Sequence, residues 1–138
     1  MAEDDISLSE VQRTAEVRAA LRQFLRVTEA VARRHRLTPQ RYLLLLMIKG
    51  AADGTESSTV SELCERLQLA QSTVTELVQR AEEAGLIRRD PSEADGRVAH
   101  LYLTREGDDR LCGAFNEMRG ERAHLAEALR MLEESLRS

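Results

Sequence analysis

The side chains best suited to chemistry are concentrated in residues 71–80, and their types are those of recognition rather than bond breaking. Read as a helix, this stretch turns Val74, Leu77 and Val78 to one side. It leaves Ser72, Thr73, Glu76, Gln79 and Arg80 outward, with Gln71 and Thr75 on the flank. Hydroxyl, amide, carboxylate and guanidinium groups on one helical face can reach base edges in a DNA major groove or the phosphates beside it. Arg97 follows Asp95-Gly96 in a turn-rich segment, where a guanidinium could enter a narrow minor groove and its concentrated negative potential. Arg88 and Arg89 precede that segment and are placed for phosphate. Plainer readings stand beside these. Glu76 precedes Arg80 by four residues, the favourable order for a helix ion pair. Ser72 and Thr73 can help cap the helix, and Arg88 and Arg89 can be solvated strand residues.

Other reactive types are thinly spread. Cys64 lies between Val60 and Leu67 on an inner face, where cysteine serves as a small hydrophobe, and Cys112 follows Leu111 in the last arm. Two cysteines without a CxxC are too few for a disulfide framework, so a reducing, cytoplasmic setting is the expectation. His35, His100 and His124 are scattered, with no i, i+4 pair and nearby carboxylate to suggest zinc. GxSxG, Gly-rich phosphate loops, HExxH and paired-carboxylate signatures are all missing. The sequence therefore predicts no enzyme, no cofactor and no metal site.

The elements that would position these residues can be read from caps and periodicity. Ser7-Leu8-Ser9-Glu10 fits a capping box, opening a long helix in which Val17, Leu21, Phe24, Thr28 and Val31 form a heptad-like seam. Thr38-Pro39 restarts the chain as N-cap and N1 proline, and residues 42–48 are apolar nearly all round, which predicts a buried central helix. Residues 51–58 read as a loop. Thr59-Val60-Ser61-Glu62 is a second capping box for a short helix, and the helix from about Gln71 to Ala84 follows, with Gly85 as its left-handed stop. Residues 86–89 and 98–103 read as two strands of a hairpin. Thr104 caps a last helical stretch, in which Leu111, Phe115, Met118, Arg122, Leu125, Leu129, Leu132 and Leu136 keep a second heptad-like rhythm on an arm bent near Gly120. Arg122 interrupts that rhythm as a specificity device in a seam or as a side chain snorkelling to water.

Composition sets the outer bounds. A chain of 138 residues is the size of one domain or a domain with an added arm, and 42% hydrophobic with 32% charged residues is globular usage. Aromatics at 3% leave the core to aliphatic residues and favour helices over a β-sandwich. Net charge is −4, so any anionic partner must be met by a local patch. Lys49 is the single lysine among 20 basic residues; arginine is the side chain suited to bidentate contacts. Residues 59–105 hold six Arg against eight Asp or Glu, a net of −2, which predicts weak, steeply salt-dependent binding to unrelated DNA. The longest apolar run, residues 42–48, is far below the ~20 residues that span a bilayer, so no membrane partner is expected.

The fold class that results is mainly α with a small β-hairpin wing: a winged helix-turn-helix domain plus N- and C-terminal dimerisation helices. In the expected division, residues 7–36 and 105–138 form the dimerisation helices and residues 38–104 the DNA-binding lobe. The ensemble of Leu37-Thr38-Pro39-Gln40, Thr59-Val60-Ser61-Glu62-Leu63, Gln71-Ser72-Thr73-Val74-Thr75, Glu82-Glu83-Ala84-Gly85-Leu86-Ile87-Arg88-Arg89, Asp95-Gly96-Arg97 and Leu103-Thr104-Arg105-Glu106-Gly107 resembles the MarR (multiple antibiotic resistance regulator) transcription factors. That resemblance implies a homodimer clasped by its first and last helices, binding a pseudo-palindromic operator in double-stranded DNA as a repressor released by a small, commonly aromatic, effector. The two apolar seams, represented by Val17, Leu21, Leu125, Leu129, Leu132 and Leu136, are what such a clasp needs. By position in the family, an effector pocket would draw on Phe24, His35, Arg36, Tyr42 and Met47; Phe24 and Tyr42 read equally as core. The chain departs from the family pattern at Glu76, where many members carry a neutral or basic group. It departs again at Ala70, where Ser or Asp is the usual N-cap, and in a wing about two residues longer than the common form.

Overall fold

The computed structural model describes residues 5–91 and 98–137. Among them the order is α1 (Leu8–Arg34), α2 (Pro39–Lys49), β1 (Ser57–Ser58), α3 (Val60–Leu67), α4 (Gln71–Glu83), β2 (Ile87–Pro91), β3 (Ala99–Leu103), α5 (Arg105–Glu117) and α6 (Arg119–Leu136). The fold is mostly helical with a small antiparallel sheet, as the sequence predicts. The chain divides into two compact units, one from the N-terminus through Val31 together with Phe115 onward, the other Ala32–Ala114. The second boundary falls further into α5 than the expected division at residue 105. Leu111 and Ala114 are buried, and Gly107 lies against the Leu86 backbone, which ties the first turns of α5 to the lobe.

In the lobe, the caps read from sequence are present. Thr38 Oγ1 accepts the Arg41 N–H at 3.1 Å and starts α2 with Pro39 in its first turn. Thr59 and Glu62 close a reciprocal capping box on α3. Helix α2 buries Tyr42, Leu44, Leu45 and Ile48, each side chain of this size contributing roughly 1.5–3 kcal/mol on leaving water. Around it are Leu63 from α3, Val74, Val78 and Ala81 from α4, and Leu86 and Leu101 from the hairpin, all fully buried. Arg66 of α3 donates to the Met47 and Gly50 carbonyls, both at 3.1 Å, satisfying groups that the end of α2 leaves open.

The loop expected over residues 51–58 contains a strand. Ser57 and Ser58 pair with Tyr102 and Leu101, giving a sheet of order β1-β3-β2. Two buried serines carry no apolar alternation, so the usual strand signal is missing; their backbone pairing to β3 is what makes the strand. Lys49, at the end of α2, anchors this edge: its Nζ lies 2.7 Å from Glu56 and 2.7 Å from Asp108 of α5. These contacts, with Asp108 first and Glu56 second, hold its pKa above the ordinary lysine value.

In the other unit, the backbone N–H of Glu10 donates to Ser7 Oγ at 3.3 Å at the start of α1. The C-terminal arm is two helices rather than one bent near Gly120. The break is at Met118, which is fully buried and whose N–H turns back to Phe115 O at 3.1 Å. Arg122 explains how the break is tolerated: it donates to the Phe115 carbonyl at 2.7 Å and lies 3.6 Å from the centre of that ring. It caps the end of α5, in place of the seam device or free snorkel expected from its spacing.

Candidate nucleic-acid interface

The helix-turn-helix is set by backbone conformation at both ends of α4. Gln68 takes a left-handed φ of 57° and ends α3, and Leu69 N–H returns to Cys64 O at 3.3 Å. Ala70 then occupies the N-cap in an extended conformation with no side-chain cap, so the first N–H groups of α4 have no hydroxyl or carboxylate partner from that position. At the other end Gly85 takes φ +75°, the left-handed stop that the sequence predicts, and Leu86 N–H returns to Ala81 O at 3.0 Å. Val74, Val78 and Ala81 are buried and fix the rotation of the helix; Leu77 is half-buried. As a result Gln71, Ser72, Thr73, Thr75, Glu76, Gln79 and Arg80 are all exposed, in the arrangement read from spacing.

Several of these groups already hold one another. Arg80 donates to Glu76 at 2.7 Å, the i, i+4 pair anticipated as the plainer reading. Gln79 reaches Glu83 at 3.5 Å. The wing follows in the register Ile87↔Leu103, Arg88↔Tyr102, Arg89↔Leu101. Arg88 therefore stands directly opposite Tyr102, and its guanidinium lies 4.6 Å from the centre of that ring and 3.9 Å from Asp90. Arg89, on the other face of the strand, donates to Glu82 on the last turn of α4 at 2.8 Å and braces hairpin to helix. Neither wing-base arginine is a simply solvated strand residue. Arg97 lies outside the described residues.

Glu82 and Tyr102 were not singled out from sequence, because each acquires its role through a partner across Gly85 or across the hairpin. The register would have identified Tyr102, but it depends on a loop of a length that sequence alone does not determine. The joint behind the interface is legible only in part: the sequence predicts Thr104 as the cap of the last helix, but not its ties to Gly85 and Leu86. Thr104 Oγ1 donates to Gly85 O at 2.6 Å and accepts the Gly107 N–H at 3.1 Å, while Thr104 N–H donates to Leu86 O at 3.0 Å. One threonine thus caps α5 and ties it to the turn that ends α4.

The residues expected to line an effector pocket are divided between the units. Phe24 is half-buried on α1, in the arm unit; His35, Arg36, Tyr42 and Met47 belong to the lobe. Tyr42 is only 6% exposed and is core, whereas His35 and Met47 are half-buried. Arg36, with φ +59°, is exposed and donates to Glu106 at 3.2 Å; Arg110 in turn binds Glu106 and the Arg36 carbonyl. Arg110 first, and Arg36 second, hold the Glu106 carboxyl below the usual glutamate range. Of the seam residues, Val17, Leu21, Leu125 and Leu132 are half-buried, while Leu129 and Leu136 are 48% and 61% exposed. Helix α6 buries none of its residues. Cys64 is a half-buried free thiol and Cys112 an exposed one. No helix among the described residues is long and apolar enough to cross a membrane.

Residues 36–98, which hold α2 through the start of the wing, match the model of the MarR family. Over this segment the chain is similar to the MarR family. MdtR of Bacillus subtilis (strain 168), named an HTH-type transcriptional repressor, is 35% identical over 99 residues, 71% of this chain and 59% of that protein. The chain spans only about half to three fifths of the length of the curated relatives it matches, 51% and 59% in two cases. Among solved structures, a mutant MarR from E. coli shares the fold at a TM-score of 0.70 and 19% identity, covering 98% of this chain and 97% of that one. The M. tuberculosis transcriptional regulator MOSR, solved in complex with DNA, aligns at a TM-score of 0.60 and 28% identity over 80% of this chain and 77% of its own.

Proposed function

We propose that this chain is a sequence-specific DNA-binding transcriptional regulator, acting as a homodimer on a pseudo-palindromic operator as a repressor. The observation that carries the reading is the outward face of α4. Seven polar residues, Gln71, Ser72, Thr73, Thr75, Glu76, Gln79 and Arg80, are exposed on a helix whose other side is locked into the core by Val74, Val78 and Ala81. Such a helix has the diameter and the donor and acceptor groups to read a major groove. Its N-terminus has no side-chain cap and carries partial positive charge, and the first-turn residues Gln71, Ser72 and Thr73 are exposed. In a symmetric dimer two such helices enter successive grooves about 34 Å apart, with Arg88, Arg89 and Arg97 of each wing at flanking phosphate or minor groove.

The dimer is supported by the exposed apolar residues of α1 and α6. Leu25, Leu129 and Leu136 are each about half exposed or more, and a soluble chain is expected to cover a continuous stripe of this kind. A seam of Val17, Leu21, Leu125, Leu129, Leu132 and Leu136 against its symmetry mate does so. Release by a small, aromatic effector belongs to the same reading, with His35, Arg36 and Met47 of the lobe as the accessible contacts.

A second reading, a winged helix used for protein interaction without DNA, is favoured by one observation. Arg80, Arg88 and Arg89 are each held by a carboxylate or ring of the same lobe. A mobility-shift titration against the chain's own upstream intergenic DNA, with unrelated DNA of equal length and at two salt concentrations, separates the two. Selective retention that survives the higher salt is the result expected of the regulator; no selectivity at either salt supports the protein-interaction module.

A further inference from the structure

Helix α4 as a whole carries more acid than base, which is an unusual charge for a helix that faces DNA. Glu76, Glu82 and Glu83 stand on this helix against Arg80 alone. Glu82 is turned to Arg89 on the wing at 2.8 Å, and Glu83 lies on the last turn, within 3.5 Å of the Gln79 amide. Glu76 is different: it sits mid-helix on the outermost line, 62% exposed, with the 64% exposed Arg80 at 2.7 Å. A carboxylate there is repelled by every phosphate, so bulk electrostatics gives no reason for it. An exposed ion pair also adds little to the stability of the helix, and both side chains can turn to new partners without a large loss.

What the major groove offers a carboxylate is amino donors, and the pairing that geometry favours is with cytosine N4. The guanidinium beside it needs acceptors, and guanine O6 and N7 supply two in the spacing of its fork. A C·G pair presents that donor and those acceptors side by side. We propose that Glu76 and Arg80 read one C·G pair in each half-site as a unit. Glu76 accepts from the cytosine amino group and Arg80 donates to guanine, each charge neutralised by the other. The proposal rests on α4 facing DNA, and makes Glu76 a specificity residue that lowers affinity for every other sequence.

The test is enrichment from a DNA pool with randomised half-sites, using the purified full chain, Glu76→Gln, and Glu16→Gln on α1 as a control for loss of one negative charge. The parent and Glu16→Gln are expected to select C·G at one position per half-site, by roughly ten- to hundredfold over other pairs. Glu76→Gln is expected to reduce that preference to a few-fold while binding unrelated DNA more tightly than the parent. If Glu76→Gln selects the same pair as strongly as the parent, the proposal is overturned while DNA binding stands. If the parent enriches no sequence, the DNA-binding reading of α4 falls, and the proposal falls with it.

Discussion

Gly107→Ala tests the joint that holds α5 against the end of α4. A Cβ at this position would stand 2.1 Å from the Leu86 carbonyl oxygen, 3.0 Å from its carbon and 3.3 Å from its Cα. The first distance is shorter than an ordinary non-bonded contact by more than ~1 Å. The obstacle is backbone, not the end of a flexible side chain, and it is pinned from both directions. Leu86 O accepts the Thr104 N–H at 3.0 Å, Leu86 N–H donates to Ala81 O at 3.0 Å, and the Leu86 side chain is fully buried. Overpacking a site that cannot yield costs about 1–3 kcal/mol. Weakening the Thr104 bond adds ~0.5–1.5 kcal/mol. Against this, alanine gains up to ~1 kcal/mol over glycine within a helix. The net is a loss of about 1–3 kcal/mol, or roughly 3–10 °C in Tm for a chain of this size. Thermal and urea unfolding at fixed protein concentration, followed by circular dichroism, would measure it. Gly120→Ala is the paired control: a Cβ there meets nothing within 4 Å, so on α6 it should raise stability by ~0.4–1 kcal/mol. Equal or greater stability of Gly107→Ala relative to the parent would refute the close approach of α5 to Leu86.

Three further outcomes follow from the geometry. Ala70→Ser supplies the missing N-cap hydroxyl to α4, whose cap residue is already extended, and should raise the urea midpoint by an amount worth about 0.5–1 kcal/mol; an unchanged midpoint would mean that those N–H groups are otherwise satisfied. Leu129→Asp places a charge in the proposed seam at a residue 48% exposed in the single chain, so the protomer should stay folded while sedimentation reports monomer; a stable dimer would put the seam elsewhere. Glu106 titrates below the ordinary glutamate range because of Arg110 and then Arg36, so its contribution to stability is present above the unfolded glutamate pKa and is lost as pH falls through the folded value. Arg110→Met should move the carboxyl midpoint, followed by carbon-detected NMR, back toward the ordinary value; no movement would remove the ion pair from the account.

Much of this was legible because helices announce themselves locally. Thr38-Pro39 and Thr59 with Glu62 fix two helix starts within four residues of chain, and Val74, Val78 and Ala81 fix the rotation of α4. The exposed face of α4 follows from that rotation without further information. What was not legible depends on partners distant in sequence. Strand β1 exists only as an edge for β3, and two serines carry no pattern to betray it. The break at Met118 rather than Gly120 reflects a buried methionine and a guanidinium cap, neither of which has a local signature. Gly107, read from sequence only as part of a family motif, has its physical reason in the approach to Leu86. The ties of Arg88 to Tyr102 and Arg89 to Glu82 depend on hairpin register.

The central claim is that the outward face of α4 is the surface that meets DNA. Its most direct test is a titration of the nitrogen-15-labelled chain with the upstream fragment retained in the mobility shift, following backbone amides by NMR. The account predicts that the largest changes fall in residues 68–80 and at the wing base, with Leu44, Leu45 and Ile48 of the core little moved. Changes confined to α1 and α6, or none at DNA concentrations that saturate binding, would contradict it.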